Sequence, residues 1–184
     1  QIDKPDCKAL WTSQQDNLVL TWRGKMAKSQ ITYSEIKKNE ISEAYSLVRN
    51  VYDEFVSNEN SDQGNDVFYD FIKYDNAKKR LSEICFSIIA KINGKICGII
   101  EIKNYNHVCL LFVEKEMHEQ GIAKTMLKLA ADKCIRNNSD FIDVNSSLYA
   151  VPIYEKLGFR TTEGKKLING INFVPMLFKI KKTG

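Results

Sequence analysis

At 184 residues the chain is long enough for one domain with a substantial core. With 43% hydrophobic and 27% charged residues it has the composition of an ordinary globular protein, which excludes a disordered or fibrous chain. Its net charge of +4 is spread along the sequence rather than gathered in blocks, so it argues against a nucleic-acid partner and mildly favours an anionic ligand. No apolar run approaches membrane-spanning length, and the amino end lacks the core of a secretion signal, so no membrane association is expected. The five cysteines, at positions 7, 85, 97, 109 and 134, are odd in number and form no C-x-x-C pair. Four of them lie in apolar runs, where a thiol behaves as a small hydrophobe, and a reduced, cytoplasmic setting follows.

Residues 1–25 read as an extension or an added strand, carrying Trp11 and Trp22, with Met26 as a candidate start of the domain proper over 26–184. A first strand is expected over 30–36. An amphipathic helix follows over 39–57, with Ile41, Ala44, Tyr45, Val48, Val51, Tyr52 and Phe55 at three- and four-residue spacing. The polar stretch from Asn58 to Asp66 reads as a loop, and a second helix is expected over 66–82. Two apolar runs, 85–92 and 96–102, flank Asn93-Gly94, a hairpin signal. A third strand follows over 107–113. The pattern then turns helical from Ile122 to about 136, with Ala123, Met126, Leu127, Ala130 and Cys134 on one face. A strand at 141–144, a short helix at 148–157 closing on Gly158, a turn at Asn169-Gly170 and an apolar strand through Phe173 and Ile180 complete the chain. This order predicts a mixed α/β fold, a twisted sheet of about seven strands with helices on both faces.

Two stretches carry chemistry. The first is the strand-to-helix turn at Gly121. Glycine lets a ligand approach the backbone, and the first amides of a helix lack internal partners and sit at the positive end of its dipole. Such a turn suits a phosphate, although many αβ proteins place a glycine there for structural reasons alone. The second is Asn145 followed by Ala150 and then Tyr154-Glu155-Lys156-Leu157-Gly158-Phe159. Alone, Tyr154 would read as a core tyrosine on a short helix.

Together the two stretches resemble the GNAT superfamily of N-acetyltransferases. His118-Glu119-Gln120-Gly121-Ile122-Ala123 is similar to its pyrophosphate loop: Gly121 and Ala123 match, while His118 stands where Gln or Arg is usual. The stretch from Asn145 to Phe159 is similar to its second signature. The resemblance covers residues 30–181 and implies a sheet whose strand 108–113 splays from 141–144. Acetyl-CoA would be the co-substrate. Its arm would lie along Leu111, Phe112 and Val113, and its pyrophosphate on the amides of His118, Glu119, Gln120, Gly121, Ile122, Ala123 and Lys124. Asn145 and Ala150 would line the far wall, with the Tyr154 hydroxyl at the thioester sulfur. Lys156 either reaches a phosphate or is solvated.

The implied reaction is attack of an amine on the thioester carbonyl. A lysine-like amine of pKa about 10.4 costs roughly 4–5 kcal/mol to deprotonate at pH 7, so a general base is expected. Glu101 is the candidate: it is the one charge in the run 96–102 and is expected to share a strand face with Cys97 and Ile99; a solvent-facing glutamate is the alternative. The phenol is a weaker acid than a thiol, so Tyr154 is expected to donate a hydrogen bond rather than transfer its proton fully. His107 and His118 lack a ligand cluster, and no metal is implied. The acceptor is a small amine, a peptide or a protein amino group, and the oligomeric state, a homodimer included, is left open. The rival reading is a non-catalytic acyl-CoA-binding regulatory module.

Overall fold

The computed structural model describes residues 30–180. The extension expected over 1–25 lies outside the described residues. The chain runs β1 (Ile31–Glu35), α1 (Ile41–Phe55), α2 (Asp62–Phe71), α3 (Tyr74–Glu83), β2 (Cys85–Ile92), β3 (Lys95–Lys103) and β4 (His107–Val113). It continues with α4 (Ile122–Arg136), β5 (Phe141–Ser146), α5 (Val151–Lys156), β6 (Arg160–Thr161), β7 (Lys166–Ile168) and β8 (Ile171–Lys179). The strands form one sheet in the order β1-β2-β3-β4-β5-β8-β6, with β7 added to β8. Mixed pairing with helices on both faces is what the alternating apolar runs and helical periodicities call for. No helix among the described residues is long and apolar enough to cross a membrane.

Each face of the sheet buries a separate apolar layer. On one side Met126, Leu127, Ala130 and Cys134 of α4 pack on Ile88, Ile100, Ile102, Val108 and Ile142. On the other Ala44, Tyr45 and Val48 of α1, with Ala77 of α3, pack on Ile89, Ile99 and Leu110. Val51 and Phe55, on the same stripe of α1, are left half-buried and form the wall of a cleft.

Three local features differ from the sequence expectation. The single helix over 66–82 is two helices, broken at Ile72-Lys73, where Lys73 turns to an extended ψ of 143°. The first begins earlier than expected, because Ser61 caps it by accepting a hydrogen bond from the Gly64 amide at 3.2 Å. The expected loop 58–66 is therefore half helix. Third, Cys97 does not share a face with Glu101. The register between β2 and β3 slips at Ala90/Lys91, and a slip of one residue moves a side chain to the opposite face. Cys97 joins the layer under α4, while Ile99 and the Glu101 carboxylate face α1.

The segment between α1 and α2 is stitched to the far end of the chain. The Ser61 amide donates to the Gly170 carbonyl at 3.0 Å, and the Asn172 amide donates to Asn60 Oδ1 at 2.8 Å. Glu59 accepts from the amides of Leu148 at 2.8 Å and Tyr149 at 2.6 Å. These bonds hold a bridge over the gap between α1 and the β7–β8 turn. The bridge needs glycine at its crossing: a Cβ on Gly64 would stand 2.2 Å from the Gly170 oxygen. Gly64→Ala is accordingly expected to destabilise the protein by about 1–3 kcal/mol. Calorimetry should show a fall of about 2–12 °C in Tm, and an unchanged Tm would mean that the bridge is not held this way.

Candidate active site

The site begins where a strand pair fails. β4 and β5 run parallel, but they are paired only at His107↔Asp143 and Val108↔Val144. Beyond Val108 they diverge. The edge of β4 that faces the gap can be read from its other neighbour. The Glu114 amide donates to the Cys97 carbonyl at 2.9 Å, so in the antiparallel ladder with β3 the even-numbered residues Phe112 and Glu114 bond to β3. The backbone groups of Leu111 and Val113 then face the gap. A polar ligand that lies along them would satisfy groups that a closed sheet would have paired.

At the open end of the wedge the chain turns into α4. Glu119 and Gly121 both adopt positive φ, 61° and 77°, and Gly121 is the residue before the helix. The amides of Ile122, Ala123 and Lys124 open the helix and have no acceptor inside it. With the helix dipole behind them they make a cradle of a kind suited to an anion. His118 has a different task from the one its place in the loop suggests. Its Nε2 lies 2.9 Å from the Val113 carbonyl, which clips the loop back onto β4. Gln120 also turns away from the cradle, its amide nitrogen donating to the Glu116 carbonyl at 3.3 Å.

A cleft of about 1210 Å³ runs through this wedge. Of the residues named from sequence as cofactor-binding, all line it except Gln120. The cradle, Ala150 and Tyr154 lie toward the α4 face. On the other face the wall is made by Val51, Phe55, Phe68 and Phe71 under the bridge, with Ile168 and Phe173 from the tail. Tyr52 stacks on Phe68 at 3.7 Å between ring centroids, and Phe55 stacks on Tyr149 at 4.9 Å, so this half is an aromatic chamber.

Tyr154 is 5% exposed, and its ring packs edge-on against Phe159 at 5.0 Å. Burial, and after it the nearby Cys109, hold its phenol protonated well above the ordinary range. Cys109 too keeps its proton: a hydrogen bond with Cys85, then burial, then the Glu101 charge push its thiol strongly upward. It is no nucleophile.

Glu101 is fully buried and is not part of the cleft wall. One carboxylate oxygen accepts from Tyr45 and the other from Arg80 Nε at 3.1 Å. Arg80 itself lines the cleft. Cys85 and Cys109 stand beside the same carboxylate, the three donor atoms within 4.8 Å of one another. A dication at this trio would lie against the Arg80 guanidinium, and its charge would be opposed there. His107, the first residue of β4, lines the cleft at the apex of the wedge, with Nδ1 2.6 Å from Asp143 Oδ1. Sequence reasoning could not find this dyad, because its members lie 36 residues apart.

A family model described as "Acetyltransferase (GNAT) domain" matches residues 56–180. The chain belongs to the GNAT acetyltransferase family. Membership makes it an acetyl-CoA-dependent N-acetyltransferase, the class that the resemblance implied. N-alpha-acetyltransferase 30 of Dictyostelium discoideum is 24% identical over 149 residues, covering 70% of this chain and 80% of that protein. The fold is shared with a GCN5-related N-acetyltransferase from Rhodopseudomonas palustris, with TM-score 0.71, 16% identity and coverage of 85% of this chain and 99% of the other. It is shared also with the PaiA N-acetyltransferase of Thermoplasma acidophilum, solved with coenzyme A, with TM-score 0.67, 15% identity and coverage of 82% and 99%. The mixed sheet expected from sequence is the GNAT fold.

If the cradle holds a pyrophosphate, acetyl-CoA at about 100 times its dissociation constant adds about 2.7 kcal/mol of stability, a rise of roughly 5–10 °C in Tm. Gly121→Val places a branched side chain where φ is 77°, so the cradle must change shape, and the shift is expected to fall by more than half. An undiminished shift in that variant would remove the cradle from the binding site.

Proposed function

We propose that this chain transfers an acetyl group from acetyl-CoA directly to an amine seated in the aromatic chamber. The observation that carries the reading is one continuous cleft lined by the cradle at the start of α4, by Tyr154 and by a largely aromatic chamber beneath α1–α3. The names of its relatives, an N-alpha-acetyltransferase among them, also point to an amino group as acceptor. A C–N bond forms, the C–S bond breaks, the amine loses a proton and the thiolate gains one.

Acetyl-CoA supplies the activated carbonyl; the rest is done by the chain. The amides of 122–124 and the gap-facing backbone of Leu111 and Val113 hold the nucleotide and its arm, with Asn145 and Ala150 on the opposite wall. Tyr154 donates a hydrogen bond to the sulfur as charge develops on it. Its upward-shifted pKa suits a donor: deprotonation is postponed to higher pH, so the donating form persists throughout the range in which the enzyme would be assayed. Glu101, with both oxygens engaged, holds Arg80 in place. The proton acceptor we assign is His107. A carboxylate at Nδ1 favours the tautomer with its proton there, which leaves Nε2 to accept, directly or through water.

The two roles separate by pH. Tyr154→Phe is expected to lower kcat roughly 10²–10³-fold, by the same factor at every pH from about 6 to 9. His107→Ala is expected to lower kcat/KM for the amine by about 10²-fold near neutrality, with the deficit shrinking as pH rises and the amine loses its proton unaided. A Tyr154→Phe enzyme with full turnover at a rate-limiting chemical step would remove the phenol from the mechanism, and a pH-independent His107→Ala deficit would remove the base. Acetyl-CoA binding without transfer to any amine would instead support a regulatory acyl-CoA-binding module.

A further inference from the structure

The acceptor half of the cleft offers a cation no carboxylate among the described residues. Glu119 is the one carboxylate among the described residues lining the cleft, and it stands at the cradle. An acceptor with further ammonium groups would have to strip their water against ring faces and neutral amides alone, with no carboxylate to pair with. The wall is mostly apolar and aromatic, with the neutral amides of Asn60, Asn169 and Asn172 and the guanidinium of Arg80 set into it.

Arg80 is held on three sides. Nε donates to Glu101, Nη1 donates to the Phe71 carbonyl, and the guanidinium carbon lies 3.6 Å above the Phe71 ring. Only 15% of the side chain is exposed. Nη2 is buried and has no hydrogen-bond partner among the described residues. A guanidinium carries five N–H donors in a rigid fork, so fixing two of its nitrogens aims the third. A buried donor left unpaired is costly, and something in the working complex should satisfy it. The charge of Arg80 is already balanced by Glu101, so what is lacking is an acceptor oxygen, neutral or anionic.

We propose that Arg80 Nη2 is a specificity determinant that donates a hydrogen bond to a carbonyl or carboxylate oxygen on the acceptor molecule. The acceptor class is then an amino acid, amino-acid amide or peptide-like amine with an apolar side chain, rather than a simple amine or a polyamine. The inference rests on acetyl transfer to an amine in this cleft, and the test separates the two.

Phenethylamine, phenylalanine and phenylalaninamide share a ring and an amine and differ in the oxygen. With saturating acetyl-CoA, at least one oxygen-bearing acceptor should exceed phenethylamine in kcat/KM by roughly 10–100-fold, the size of a hydrogen bond to a charged donor. An advantage confined to phenylalaninamide assigns a carbonyl, and one confined to phenylalanine assigns a carboxylate. Arg80→Lys keeps the charge beside Glu101 but lacks the fork, and the advantage should collapse to within a few-fold, mostly through KM. The double variant Arg80→Gln/Glu101→Gln removes both charges without stranding either, and should collapse it equally if the single variant folds poorly. Equal use of the three acceptors by the native enzyme, or an advantage that survives in both variants, overturns the proposal. If none is acetylated, the transfer reading fails, and calorimetric binding of the same three to the coenzyme A-loaded protein decides Arg80: a preference for oxygen supports the role, while equal binding or none overturns it.

Discussion

The site depends on a backbone that stops pairing. After Val108 and Val144, β4 and β5 part, and a sheet that is otherwise continuous acquires a slot. Unpaired backbone groups inside a protein cost free energy unless something else bonds them. The slot is therefore stable only because its edges are braced. β4 is held by its ladder with β3, β5 by its ladder with β8, and the two core layers press on the faces. His118 reaches back to the Val113 carbonyl and fixes the turn at the mouth of the slot.

From that slot the chemistry follows by position. α4 starts where the slot opens, so the residues that carry its unpaired amides line the cleft. α5 lies beside it and delivers Tyr154. The opposite face of the sheet, under α1–α3, receives whatever emerges through the slot, and the bridge from Ser61 and Asn60 to Gly170 and Asn172 closes over that space. One cleft thus joins two unlike environments: amides and lysines at the cradle, aromatic rings and one guarded arginine in the chamber. Such a cleft suits two ligands of unlike character.

Much of the frame was legible in the residues. Asn93-Gly94 and Asn169-Gly170 both turn with positive φ, as hairpin signals should. The apolar spacing of Met126, Leu127, Ala130 and Cys134 marks the buried face of α4, and Gly121 and Tyr154 stand in one cleft. What was not legible lies in long-range pairing. Glu101 meets Tyr45 across 56 residues and Arg80 across 21, and no local pattern announces either. Its candidacy as a base rested on being the lone charge in an apolar strand; a buried carboxylate is equally the signature of a paired one. The face of Cys97 depended on a one-residue register slip that alternation cannot reveal. Ser61, a residue type suited to capping, stands at the start of α2 inside the polar stretch 58–66 that reads as a loop.

Backbone hydrogen exchange, with and without coenzyme A, tests the central claim directly, because the claim concerns main-chain amides. The account predicts that ligand slows exchange at Leu111, at Val113 and along 119–124, while amides of β1, β2 and the middle of α4 keep their rates. Protection elsewhere, with the slot and the turn at Gly121 unchanged, would contradict it.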